Sequence, residues 1–199
     1  MRNRSRLLFP MDVLVLVGTL SLFLACGGAS APAGLATSAK APATTLSYTA
    51  PATVGSAYRL VRSATSTGTH LVLDLVGPAG TQIKGVVLTL SADTAKATWN
   101  NPGGTTDPYI KEGQLLALGA GTKLIKSQLS GSGLQVALFQ KGTAAAATLD
   151  YQPILSVALD LKAGTTPGPV SLSSATAQIL DANGTTQAIT VAMGTLTAQ

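Results

Sequence analysis

Three observations predict an all-β fold, an antiparallel β-sandwich, for residues 46–199. Apolar and polar residues alternate in short runs, clusters of Gly, Pro, Asn and Asp separate those runs, and no convincing amphipathic helix interrupts them. Composition agrees. Charged residues make up 11% and aromatics 4% of the chain, while 46% is hydrophobic, which is not the balance of a disordered segment. A single cysteine rules out an internal disulfide. Stability must therefore come from an apolar core, and a domain of ~150 residues buries about 68–70% of its unfolded surface.

Period-two alternation puts one set of side chains inward and the next outward, and it locates the elements in order. Ala57–Arg62 is a first candidate strand. Leu71, Leu73 and Leu75 then alternate with Val72, Asp74 and Val76. Val86, Leu88 and Leu90 alternate with Val87, Thr89 and Ser91. Gln114–Leu118 and Thr122–Leu129 read as strands, and Leu134, Val136 and Leu138 follow a Gly-Ser-Gly turn. Ala147–Gln152 comes next, then Leu155, Val157, Leu159 and Leu161, alternating with Ser156, Ala158, Asp160 and Lys162. Val170–Leu180 and Gln187–Thr197 close the series, giving nine or ten strands. Breakers fall between them at 77–80, 100–104, 164–168 and 183–184. Asn183-Gly184 predicts a two-residue type I′ hairpin, whose central residues both need positive φ.

The N-terminus has a different character. Arg2, Arg4 and Arg6 form a basic head, and Val13–Ala25 is an apolar core too short for a comfortable membrane span of ~20 residues. Leu22-Phe23-Leu24-Ala25-Cys26 resembles the lipobox of bacterial lipoproteins, although Phe23 stands where leucine is usual. The resemblance implies a signal peptide over 1–25 and diacylglycerol and palmitate on Cys26. It also implies a membrane tether through that lipid. An uncleaved anchor helix, or a start at Met11 beyond which Asp12 leads the apolar core, is the alternative. Gly27 and Gly28 follow the cysteine with no Asp, which favours the outer membrane or cell surface. Residues 26–45, rich in Ala, Gly, Ser, Thr and Pro, read as a flexible linker. Cleavage leaves 174 residues with ten Lys+Arg against seven Asp+Glu. The remaining basic residues are scattered (Arg59, Lys84, Lys96, Lys123, Lys141, Lys162), so no nucleic-acid partner is expected.

The order of the strands adds a resemblance. Ile83–Asp93, with its Gly-containing strand running into an Asp-bearing loop, is similar to an early segment of cohesin domains. Ile154–Ala163 is similar to their late alternating strand, and Thr165–Val191, with Ile179-Leu180-Asp181-Ala182-Asn183-Gly184, to their last strands and hairpin. The resemblance spans about Tyr48–Gln199 and implies a nine-stranded jelly-roll, an architecture shared with several carbohydrate-binding modules. It also implies non-catalytic docking of a dockerin on one sheet face, although no face matches known docking residues.

Catalytic groups are sparse. His70 is the only histidine and Glu112 the only glutamate, and there is no G-x-S-x-G nucleophile elbow. Asp93, Asp107 and Glu112 are the acids a carboxylate pair would draw on, yet their spacing does not require them to meet. No enzyme is expected. Asp181-x-Asn183-Gly184 reads as a turn and also as the first half of a calcium loop. A cation held between loops would use Asp181 and Asn183 with Asp93. Otherwise no cofactor is expected. Trp99, Asn100, Asn101 and Tyr109 are the ligand-binding candidates: an aromatic ring can stack on a sugar and amides can bind its hydroxyls, while Trp99 at a strand end fits a core position equally well. The function these features support is an envelope-anchored module that binds a surface protein or polysaccharide. The alternative is a structural subunit of a surface assembly or filament.

Overall fold

The computed structural model describes residues 40–52, 57–104, 107–117 and 123–199. The expected signal peptide, Cys26 and the linker up to residue 39 lie outside the described residues. The domain begins slightly before residue 46. Ala43 is buried and its N–H donates to the Thr165 carbonyl at 2.7 Å, and Thr44 and Thr45 N–H groups both donate to the Gln199 carbonyl.

Two sheets face each other. In the first, β2 (Tyr58–Arg62), β3 (His70–Val76), β10 (Pro153–Leu161) and β5 (Ala97–Asn100) lie side by side, with β14 (Val191–Ala192) beyond β2 and β6 (Lys111–Glu112) also on β10. In the second, β12 (Leu172–Asp181), β4 (Gln82–Ala92), β8 (Gly133–Gln140) and β7 (Lys123–Ser130) are neighbours, with β13 (Thr186–Ala188) beyond β12 and β9 (Ala147–Thr148) on β4. A small third sheet sets β15 (Thr195–Ala198) between β1 (Leu46–Thr49) and β11 (Gly168–Val170). Every ladder is antiparallel except β14 with β2, where Val191 pairs with Tyr58 in parallel. The all-β sandwich read from the sequence is the observed fold.

The alternating leucines make the core. Leu71, Leu73 and Leu75 pair across the ladder with Leu159, Val157 and Leu155, and all six are fully buried. From the second sheet Val86, Leu88 and Leu90 pair with Leu138, Val136 and Leu134 and join the same apolar cluster. Tyr48 ties the third sheet to this core. Its hydroxyl donates to the Leu60 carbonyl at 3.3 Å and accepts from Gly194 N–H at 2.7 Å.

Four expectations change. The described residues hold fifteen strand segments rather than nine or ten: β1, β5 and β6 lie outside the alternating runs, Ser171 separates β11 from β12, and short gaps divide residues 186–198 into β13, β14 and β15. Residues Gln114–Ala117 form a single helical turn, α1, instead of a strand. Gln, Leu and Ala are good helix formers, and the turn carries Leu116 into the core. The hairpin at residues 181–186 is not type I′, since among the described non-glycine residues only Tyr151 has positive φ. Asp181 N–H donates to the Thr185 carbonyl, leaving a three-residue loop whose left-handed position is Gly184, at φ +81°. Finally, β3 and β10 are not half-buried. Val72, Val76 and Ala158 on their outer side are buried nearly as completely as the core leucines, and Pro102, also buried, lies beside Val72.

Gly113 sets the approach of α1 to β10. Its N–H donates to the Ile154 carbonyl at 2.9 Å, and a Cβ there would lie 1.8 Å from the Pro153 carbonyl oxygen. Backbone, not a flexible side chain, would have to move.

Gly113→Ala is accordingly expected to destabilise the domain by about 1–3 kcal/mol, read from its urea midpoint. Leu88→Ala, at a fully buried position of β4, should cost about 2–5 kcal/mol, whereas Leu124→Ala, 42% exposed on β7, should stay within ~0.5 kcal/mol. Burial raises the pKa of Tyr48 above 10.0, partly offset by the hydrogen bond from Gly194, and burial raises that of Tyr58 as well. The stability this contributes is complete below the unfolded value of 10.0 and is lost as pH rises through the folded values. Urea titrations at increasing alkaline pH should show that fall, and Tyr48→Phe should reduce it.

Candidate functional site

The Trp99–Tyr109 segment leaves the first sheet at β5 and returns at β6. Trp99 pairs with Leu159 on the core side of the ladder, is 5% exposed, and donates its indole N–H to the Ser132 carbonyl at 3.0 Å. It is a core residue with a satisfied polar edge, not a stacking platform. Asn100 donates its amide to Asp160 Oδ2, and its own carbonyl oxygen accepts Asn101 N–H at 2.7 Å. Asn101 accepts from Gly103 N–H and donates to the Asp107 carbonyl. Tyr109 is half-buried against the core. Asp107 fastens the loop: its Oδ1 accepts Tyr109 and Ile110 N–H at 3.0 Å each and Ser127 Oγ at 2.6 Å. Of the four candidate ligand residues, Asn101 braces the loop, while Trp99 and Asn100 are held by Ser132 and Asp160 outside it.

The two halves of the proposed cation site do not meet. Asp181 pairs with Ile83 at the start of β4, while Asp93 follows its end and donates its N–H to the Ser171 carbonyl. The nine strand residues 84–92 lie between Ile83 and Asp93, a separation of about 30 Å at ~3.3 Å per residue. Asp181 instead caps its own hairpin, with Oδ1 accepting Asn183 and Thr185 N–H at 2.9 and 2.8 Å and Oδ2 accepting the Gln187 amide at 2.8 Å. Asn183 points no group at it other than this N–H and is exposed. Asp93 Oδ1 accepts Ala95 N–H. Among the described residues no three His, Cys, Asp or Glu side chains converge as metal ligands would. His70, at the start of β3, sits 2.5 Å from Asp160 Oδ1 through Nδ1, directly across the ladder. Glu112 Oε2 lies 3.0 Å from Lys123 Nζ, an ion pair without hydrogen-bond geometry.

The surface that sequence reasoning missed is the outer side of the second sheet. There Val87, Thr89, Gln135, Ala137, Lys126, Gln128 and Thr176 line a shallow depression of about 310 Å³. Register brings them together: Val87 pairs with Ala137, Thr89 with Gln135, Lys126 with Ala137, and Gln128 with Gln135, while Thr176 Oγ1 donates to Thr89 Oγ1 at 2.9 Å. At one end the Phe139 ring covers Gly85 across the ladder. A Cβ at Gly85 would sit 2.1 Å from Phe139 Cδ1, so glycine lets the aromatic lie down on the sheet. Leu124, paired with Phe139, is left 42% exposed beside it. The only signal for this face in the chain is the outward half of each alternation, and it takes the strand register to assemble it.

No protein-family model matches the chain, and no curated protein does. Solved structures with the same arrangement are found among cohesins of Acetivibrio cellulolyticus. A type II cohesin of its cellulosome superposes with a TM-score of 0.53 at 14% identity over 72% of this chain and 95% of that one. The cohesin of a type II cohesin–X–dockerin complex gives 0.54 at 9% identity, over 68% and 94%. The sixth cohesin of scaffoldin B, solved with a dockerin, gives 0.50 at 17% identity, over 71% and 97%. With two facing sheets, strand elements almost throughout and these neighbours, the domain has the cohesin-like β-sandwich fold.

Proposed function

We propose that the domain is a non-catalytic docking module that receives a protein partner on the outer side of the second sheet. One observation carries this reading: the open face of β12, β4, β8 and β7, where small and apolar side chains (Val87, Ala137, Phe139, Leu124) lie among hydroxyl, amide and lysine groups. Small residues let a partner's backbone approach closely, and the surrounding polar groups supply directional bonds at the rim. Among the described residues Lys126 is the one charged group lining the depression, so the partner should present an acidic group there and an apolar anchor over Ala137. Cohesins of this fold that were solved with dockerins support a partner domain of that kind. The lipobox-like sequence at Cys26 supports tethering of the module to the cell envelope, outside the membrane and beyond a linker.

A surface subunit that assembles with itself would use the exposed edge of β7, but Lys123 and Lys126 on that strand oppose edge-to-edge pairing.

The test is capture from an extract of the host envelope by the full chain in detergent micelles. A discrete protein should be retained by the wild type and by Thr98→Lys on the opposite sheet. Ala137→Arg should weaken its capture by about 2 kcal/mol or more, a factor of ~30, because an unpaired charge would be buried at the contact. Equal capture by Ala137→Arg and wild type would remove the second sheet as the docking surface, and self-association without capture would favour assembly.

A further inference from the structure

The opposite side of the sandwich holds a site that docking on the second sheet does not use. On the outer side of the first sheet lies a groove of about 300 Å³, floored by Val72, Asp74 and Ser156 and walled by Pro102, Lys111 and Gln114. Asp74 is its centre. It is only 9% exposed, its Oδ1 accepts the Ser156 hydroxyl at 2.6 Å, and it makes no ion pair among the described residues. A carboxylate offers about four acceptor sites; Oδ2 has no protein partner among the described residues and is not sealed from solvent, so it is open to a donor that enters the groove. Register explains its position: Asp74 and Ser156 face each other across the β3–β10 ladder, so both point to the same outer side.

We propose that this groove binds a neutral sugar, on the face of the sandwich opposite the docking surface. A sugar hydroxyl donates and accepts at once, and the groove offers both roles at close quarters. Asp74 accepts, Lys111 donates, the Gln114 amide can do either, and the Ser156 oxygen, whose hydrogen is given to Asp74, accepts. Val72 and Pro102 give the apolar C–H face of a ring a surface to rest on. The volume lies at the small end of ligand sites and suits a mono- or disaccharide. Other ligand classes fit less well. Glu112 also lines the groove but is paired with Lys123, so an anionic sugar would meet the Asp74 charge, which offsets that of Lys111. A cationic side chain would meet that lysine at the rim, and among the described residues no third acid converges to hold a metal ion.

The test is a titration of the isotope-labelled full chain, in micelles of a detergent without a sugar headgroup, followed by backbone amide resonances. The probes are glucose, mannose, N-acetylglucosamine, cellobiose and xylobiose, taken into the millimolar range, with glycerol as the control for non-specific polyol effects. At least one sugar, but not glycerol, should give saturable shifts confined to residues near 74, 111–114 and 156. Asp74→Asn keeps the shape and the bond to Ser156 but removes the charge, and it should weaken that binding about tenfold, the worth of a charge-assisted hydrogen bond. Asn183→Ala, on the distant hairpin, should leave it unchanged. The absence of saturable shifts with every sugar would overturn the proposal, as would shifts centred on Val87 and Ala137 or equal affinity in Asp74→Asn with an unaltered melting temperature.

Discussion

The second sheet hangs on β4. Its eleven residues pair along one edge with nine positions of β12 and along the other with seven of β8, and its first two residues pair with β9. Every inward side chain of this strand is fully buried or nearly so. A chain with one cysteine cannot cross-link its sheets internally, so the packing of Val86, Leu88 and Leu90 on the leucines of β3 and β10 must hold them together. The open face depends on the same strand. Val87 and Thr89 are the outward residues of the run whose inward residues make the core, so the docking surface is the reverse side of the element that stabilises the domain.

Much of this arrangement was legible in the chain. Leu71–Val76, Val86–Ser91, Leu134–Leu138 and Leu155–Leu161 are strands where their alternation places them, because an apolar residue at every second position is stable only with one face buried. The errors have local causes. Gln114–Ala117 is too short for periodicity to distinguish one helical turn from one strand, and helix-forming residues settled it. Val72 and Val76 were read as outward, which is correct for their direction but not for their burial, since alternation carries no information about what lies over a sheet.

The candidate site was harder to read for a related reason. Trp99, Asn101 and Asp181 are the residue types that bind ligands, and they are equally the types that close turns and fill strand ends. In this domain they serve the second purpose: an indole on a loop carbonyl, an amide bracing a loop, a carboxylate capping a hairpin. The two faces that carry the functional proposals are built largely of Val, Ala, Thr, Gln and Ser around the charged Lys126, Asp74 and Lys111. None of these stands out until cross-strand register puts Ala137 beside Val87, or Ser156 beside Asp74.

The meeting of residues 43–45 with Gln199 has a mechanical consequence. Leu46 pairs with Ala198 and Thr49 with Thr195, so the two ends of the domain leave from the same corner along neighbouring antiparallel strands. A load applied between residues 44 and 199 would meet the β1–β15 ladder one rung at a time and peel it open like a zipper, with no two rungs sharing the force.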